Sequence, residues 1–198
     1  VGQPIWILAA KVDVTVHICE AWQHTRRMAL TLASTGLQSL GVPSGVMQTF
    51  LPYADFGASA AALDDRRLGK QRVETLQVMR ALTIPGYGWQ HHPVVAMWRG
   101  YRPALMSYQD AVCAEWLGRG HVDTCREKTY ADLGLVPSDA ALYEAGTFEV
   151  PPWNADEAVH RSHRSKLVQK DSEFYRPLFG DVADDLDYVW PVASRSTS

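Results

Sequence analysis

The chain has 198 residues, 46% hydrophobic and 21% charged, which suffices for one packed core and excludes two full domains. A formal charge of −3 excludes a uniformly basic nucleic-acid-binding chain, and no apolar run approaches the ~20 residues of a membrane helix. Cys19, Cys113 and Cys125 form no CxxC pair, which argues against a disulfide scaffold and for a reducing cytoplasm.

Residues 1–46 differ from the rest of the chain. They show no basic start or cleavage site of a secretory signal and end in Gly41-Val42-Pro43-Ser44-Gly45-Val46. They read as an extension, either disordered or translated from a misassigned start, with a small helical addition near Glu20–Ser34 as the alternative. Met47 opens a densely patterned domain over 47–191, and 192–198 reads as a disordered tail.

The first long helix is expected from about Gly57 to Leu82. Ala61, Leu68, Leu76, Met79 and Leu82 share one stripe, with Arg66, Lys70, Glu74 and Gln77 opposite. Asp65 and Arg72 break this order: they stack two turns apart in or beside the apolar stripe, which requires mutual compensation or a polar cleft. Pro85-Gly86-Tyr87-Gly88 ends the helix. A short helical piece is expected over Val94–Gly100, and a second long helix runs from Pro103, with Leu105, Tyr108, Val112 and Trp116 on its stripe and Gly118 and Gly120 at its end. Residues 121–150 read as loop. A third long helix starts after Pro151-Pro152-Trp153, with Asn154 as N-cap and Glu157 completing a capping box. Ala158, Ser162 and Ser165 form its inward face and its basic residues point outward. No alternating strand is visible, so the fold class is all-α: a compact single domain with three main helices.

Charge is segregated along this pattern. Residues 66–80 carry five basic residues and one acid, residues 160–170 carry four basic residues and no acid, and residues 171–187 carry six acids against Arg176. Two basic segments can form a footprint for a polyanion even when the total charge is negative; solvated helix faces are the plain alternative.

Met47-Gln48-Thr49-Phe50-Leu51, then Leu63 and Arg72, the run Trp116-Leu117-Gly118-Arg119-Gly120-His121-Val122-Asp123-Thr124, Asp156-Glu157-Ala158, Lys166-Leu167 and Phe174-Tyr175 resemble the pyrimidine-dimer DNA glycosylase (endonuclease V) family. The resemblance spans about 47–180. The segments 68–74 and 160–165 are similar to mainly actinobacterial proteins grouped with that family. It implies an endonuclease V-like helical domain that removes one base of a pyrimidine dimer and nicks the abasic strand, as a monomer and without metal or other cofactor. The family's nucleophile is the chain's own α-amine, which forms a Schiff base at C1′ of the sugar while a helix carboxylate assists and arginines kink the DNA. An α-amine with a pKa near about 8 is partly neutral at pH 7, whereas a lysine near about 10.4 is not. Extruding a nucleotide costs a few kcal/mol, least where the base is damaged.

Carried over without gaps from Met47, the family's nucleophilic position falls on Gln48, its helix glutamate on Gly69, and one arginine on Arg72. The candidate catalytic residues are therefore Met47 or Gln48, Arg72, Asp65 as substitute carboxylate, and Lys70 as substitute amine; a surface Lys70–Glu74 pair is the plain reading of that lysine. Candidate DNA contacts are Arg66, Arg67, His160, Arg161, His163, Arg164, Lys166 and Lys170. Trp89, Trp98 and Trp153 are stacking candidates, at least two of them expected in the core. The partner is damaged duplex DNA, with no membrane role. Two other readings stand beside the glycosylase: a DNA-binding module that lost its chemistry with the helix glutamate, and a metal-dependent hydrolase using His91-His92, His121 with Cys125, and His160 with His163.

Overall fold

The computed structural model describes residues 47–191. The readings made for 1–46 and 192–198 lie outside the described residues.

Eight α-helices and one 3-10 turn come after an extended leading segment, and no strand occurs among the described residues. They are α1 (Phe56–Ala61), α2 (Asp65–Thr83), α3 (Pro93–Trp98), α4 (Arg102–Gly118), α5 (Cys125–Leu133), α6 (Pro137–Ala145), the 3-10 turn Pro152–Ala155, α7 (Glu157–Lys170) and α8 (Ser172–Phe179). The three longest, α2, α4 and α7, correspond to the three main helices expected. The all-α, endonuclease V-like class expected from the sequence is the one observed.

The single helix expected over 57–82 is in fact two. Asp64 has an extended backbone and its carboxylate accepts the Arg67 N–H at 3.0 Å, so it caps α2 and separates it from α1. The Tyr175 hydroxyl from α8 also donates to Asp64, which fixes the break from across the fold. Residues 121–150 hold two helices that the sequence concealed. On α5 the inward positions are Cys125, Thr129 and Leu133, a stripe one-third polar, and α6 buries no residue at all, so neither has the apolar period that betrays a helix. The third long helix is capped by Asp156, which accepts from Ala158 N at 2.9 Å. Asn154 lies in the 3-10 turn and donates to the Ala54 carbonyl instead.

The core is aromatic at its centre. Trp98 packs edge-on against Trp153 with centroids 5.0 Å apart, and Phe56 meets Tyr108 edge-on at 5.6 Å. Trp98 and Trp153 are thus core residues, as expected of at least two of the three; Trp89 is half-buried with a left-handed φ of 73°.

Glu74 and Gln77 were expected opposite the apolar stripe of α2, yet both are buried. The reason is that α2 is enclosed on two sides. One side meets α4 and α5; the other carries the side chains that bind the leading segment.

That segment, Met47–Pro52, runs buried through the domain without pairing to a strand. Side chains from the three main helices satisfy its backbone instead. Gln71 donates to the Gln48 carbonyl at 2.7 Å and accepts the Phe50 N–H at 2.8 Å. The Tyr108 hydroxyl donates to the Phe50 carbonyl, His163 Nδ1 accepts the Leu51 N–H, and His160 Nδ1 faces the Leu51 carbonyl, each at 2.8 Å. Arg164 donates to the Pro52 carbonyl at 2.7 Å. A buried backbone group left unpaired would cost about 1–3 kcal/mol, so these polar side chains are the condition for the segment's position.

Candidate functional site

Two features stand out on α2, on opposite sides of the helix.

The first is Glu74. Only 4% of it is exposed, and its carboxylate accepts the Gln71 amide at 2.9 Å. Lys70 Nζ stands 3.1 Å from its other oxygen, so the anticipated Lys70–Glu74 pair exists, but with its acid inside the protein. Burial pushes the Glu74 carboxyl up to about 7, against the pull of Lys70. Asp171, immediately after α7, reaches Arg67 Nη1 at 3.5 Å, which draws the end of α7 against the first half of α2. Partial desolvation of its ammonium, with Lys70, Arg67 and Lys166 as neighbouring cations, holds Lys170 below the ordinary lysine range. The cationic parts of α2 and α7 therefore converge beside Glu74 and the leading segment.

The second feature is built around Gly69. Trp116 from α4 lies so close that a Cβ on Gly69 would come within 3.1 Å of its indole. The Arg72 guanidinium sits 4.2 Å from the Trp116 ring, and His121 stacks on the same indole with centroids 3.8 Å apart and planes 20° apart. Arg72 is buried and ion-paired with Asp123, whose carboxyl is held below the usual range: burial raises it, but hydrogen bonds from the Arg126 and Cys125 backbone and from Arg72 outweigh that. Asp65 is exposed and pairs with Arg119 at 2.8 Å. Asp65 and Arg72 thus share a face of α2 without compensating each other; each has its own partner from residues 119–123.

Met47 and Gln48 are fully buried. Of the candidate DNA contacts, Arg66, Arg161 and Lys170 are exposed and form no ion pair with another described residue. Arg67 is held by Asp64 and Asp171 beneath the Tyr175 ring, Arg164 by Glu157, and Lys166 by Asp187 at 3.3 Å. His160 and His163 do not face solvent. Their pattern on a basic helix suggests phosphate contacts, but their rings point inward to hold Leu51, and burial drives the His163 imidazole down to about 3. Ala158, expected inside, is exposed, whereas Ser162 and Ser165 are buried and accept the Val189 and Leu186 N–H groups at 3.2 and 3.1 Å. Among the described residues no three His, Cys, Asp or Glu side chains gather closely enough to hold a metal ion. No described helix is long and apolar enough to cross a membrane.

Sequence reasoning passed over Glu74 as a site residue. Its signal was the nearby Gln71, since two long polar residues at i and i+3 on a helix that must be buried imply a specific partner for both.

Residues 47–129 match the family model described as pyrimidine dimer DNA glycosylase. No curated protein and no solved structure matches the chain.

Proposed function

We propose, on the match of residues 47–129 to the pyrimidine dimer DNA glycosylase family model, that the chain is a DNA glycosylase/abasic lyase whose assisting carboxylate is Glu74. One observation carries the reading: the Gln71 amide ties the leading segment to the buried carboxylate, donating to the carbonyl of Gln48, the position where the family's nucleophile falls, at 2.7 Å and to Glu74 at 2.9 Å. Glu74 lies five positions beyond Gly69, so a connection longer by five residues between the leading segment and α2 brings the family's glutamate onto it. Asp65 is nine residues from Glu74, about half a turn around the helix, and is engaged by Arg119. It is therefore the weaker choice.

In this reading an amine at the leading end attacks C1′, the glycosidic bond breaks, and the base leaves with its bonding electrons and a proton. The C1′–O4′ bond then opens, with a proton passing from the amine to O4′, to give the iminium; this acidifies C2′, and removal of a C2′ proton forms the C2′–C3′ double bond as the 3′ phosphate leaves with the C3′–O electrons. A carboxyl poised near neutrality can serve both proton transfers. Arg66, Lys70, Arg161 and Lys170 supply phosphate contacts on damaged duplex DNA, each steepening the salt dependence by about 0.9. The protein acts as a monomer in the cytoplasm.

The alternative, a DNA-binding module without chemistry, draws support from the burial of Met47 and Gln48 and from the Gln48 nitrogen being an amide within this chain. Borohydride trapping on a duplex with one abasic site separates the two. Protein beginning at Met47 is expected to form an adduct that maps to its α-amine and disappears in Glu74→Gln. An adduct mapped to Lys70 transfers the nucleophile to that side chain. Retained binding with no adduct, in either the full chain or the shorter one, establishes the non-catalytic module.

A further inference from the structure

We infer that the acidic strap after α8, residues 181–191, is an autoinhibitory lid that occupies Lys166 and closes over the leading segment, and that a DNA strand displaces it. The inference rests on the proposed action on DNA and extends it to how the site opens. Met47 and Gln48 are fully buried, so an element near them has to move before the leading end can meet a sugar. The strap has no helix or strand, and it carries Asp181, Asp184, Asp185 and Asp187 but no basic residue. It lies against the cationic α7. Its inner contact is Tyr188, edge-on to the His163 ring with centroids 5.5 Å apart, and His163 is the ring that accepts the Leu51 N–H.

The strap is fastened unevenly. At its base Arg176 donates to the Val182 carbonyl at 2.6 Å and pairs with Asp184 at 2.7 Å, which fixes the chain just after Gly180. Among the described residues no backbone–backbone hydrogen bond holds 182–191. The Leu186 and Val189 N–H groups donate instead to the Ser165 and Ser162 hydroxyls, at 3.1 and 3.2 Å. Lys166 Nζ stands 3.3 Å from Asp187, a fully exposed carboxylate, so water and salt screen that pair. Trp190 closes the far end edge-on to His92, with centroids 6.0 Å apart. Two serine hydroxyls, a screened ion pair and two ring edges can release locally while the helices stay folded. A phosphate offers Lys166 the same sign of charge as Asp187, and a DNA strand offers such groups in a row. Displacement therefore adds Lys166 to the phosphate contacts and lifts Tyr188 from the ring that holds the leading segment. The acidic run stands in for phosphates while no DNA is bound.

The test uses the full chain and a duplex with one tetrahydrofuran abasic analogue, which cannot form a Schiff base. Amide hydrogen exchange over residues 185–190 is expected to be faster in the complex than in the free protein, the reverse of simple protection by bound DNA. Ser165→Cys/Leu186→Cys, oxidised to fasten the strap to α7, is expected to bind the duplex about tenfold more weakly than the same variant reduced, a factor set by the fraction of molecules with the strap open. Exchange that is unchanged or slower in the complex, or equal affinity of the oxidised and reduced variant, overturns the lid while leaving the DNA reading intact. Wild-type protein that does not bind the duplex overturns both.

Discussion

Replacing Glu74 by glutamine separates the charge of the buried carboxyl from its shape. The fold raises this group from its ordinary 4.5 to about 7, chiefly through burial. Because the folded state holds the proton more tightly than the unfolded chain, the group imposes no penalty below pH 4.5. The penalty grows as pH rises towards 7 and is complete above it. A rise of that size corresponds to roughly 3 kcal/mol, most of which develops between pH 5 and pH 8. Glutamine cannot ionise, and its amide oxygen can still accept from Gln71. Urea or thermal unfolding of both proteins across this range should therefore show the variant gaining roughly 2–3 kcal/mol on wild type between pH 5 and 8, about 4–12 °C in midpoint. The titration of His163 opposes this trend but is common to both proteins and cancels in the difference. A difference that stays constant from pH 5 to 8 refutes the assignment of a near-neutral carboxyl at this position.

His163 governs the acid side. Its imidazole is held neutral, down to about 3 against an ordinary 6.5, so its contribution is complete above pH 6.5 and declines as pH falls below that. By pH 5 the loss is roughly 2 kcal/mol, and His163→Gln should flatten this limb of the stability curve in urea titrations. An unchanged limb shows that the ring is already free to protonate in the fold. Asp123→Asn removes one partner of the buried pair with Arg72 and should cost about 3–5 kcal/mol at pH 7 in the same assay, with the cost shrinking as pH falls below the ordinary carboxyl value of 3.8. A loss below about 1 kcal/mol indicates that solvent compensates Arg72.

Local chemistry made much of the molecule legible. Tyr108 and Val112 on α4, and Leu68, Leu76 and Met79 on α2, recur at helical spacing because one side of each helix meets apolar neighbours, and burial tracks the period. The aspartates at 55, 64 and 156 cap their helices through side-chain oxygens a few atoms away, an interaction that needs no distant residue. The errors share one cause. Where a helix buries polar side chains, hydropathy points the wrong way: Glu74, His160 and His163 carry the signature of a solvated face, yet face inward because the leading segment brings unpaired amides and carbonyls against them. Gly69 likewise is informative only beside Trp116, 47 residues along the chain.

Residue order alone indicated an all-helical fold for the described residues, three long helices, where the basic segments lie, and a resemblance to a DNA-repair family, because periodicity, capping and motif are properties of neighbours in sequence. Which carboxyl lies buried beside the leading segment, and which cations form no ion pair among the described residues, were decided by packing. These depend on groups far apart in the chain, whose charge and hydrogen-bonding needs are met only when the helices close around them.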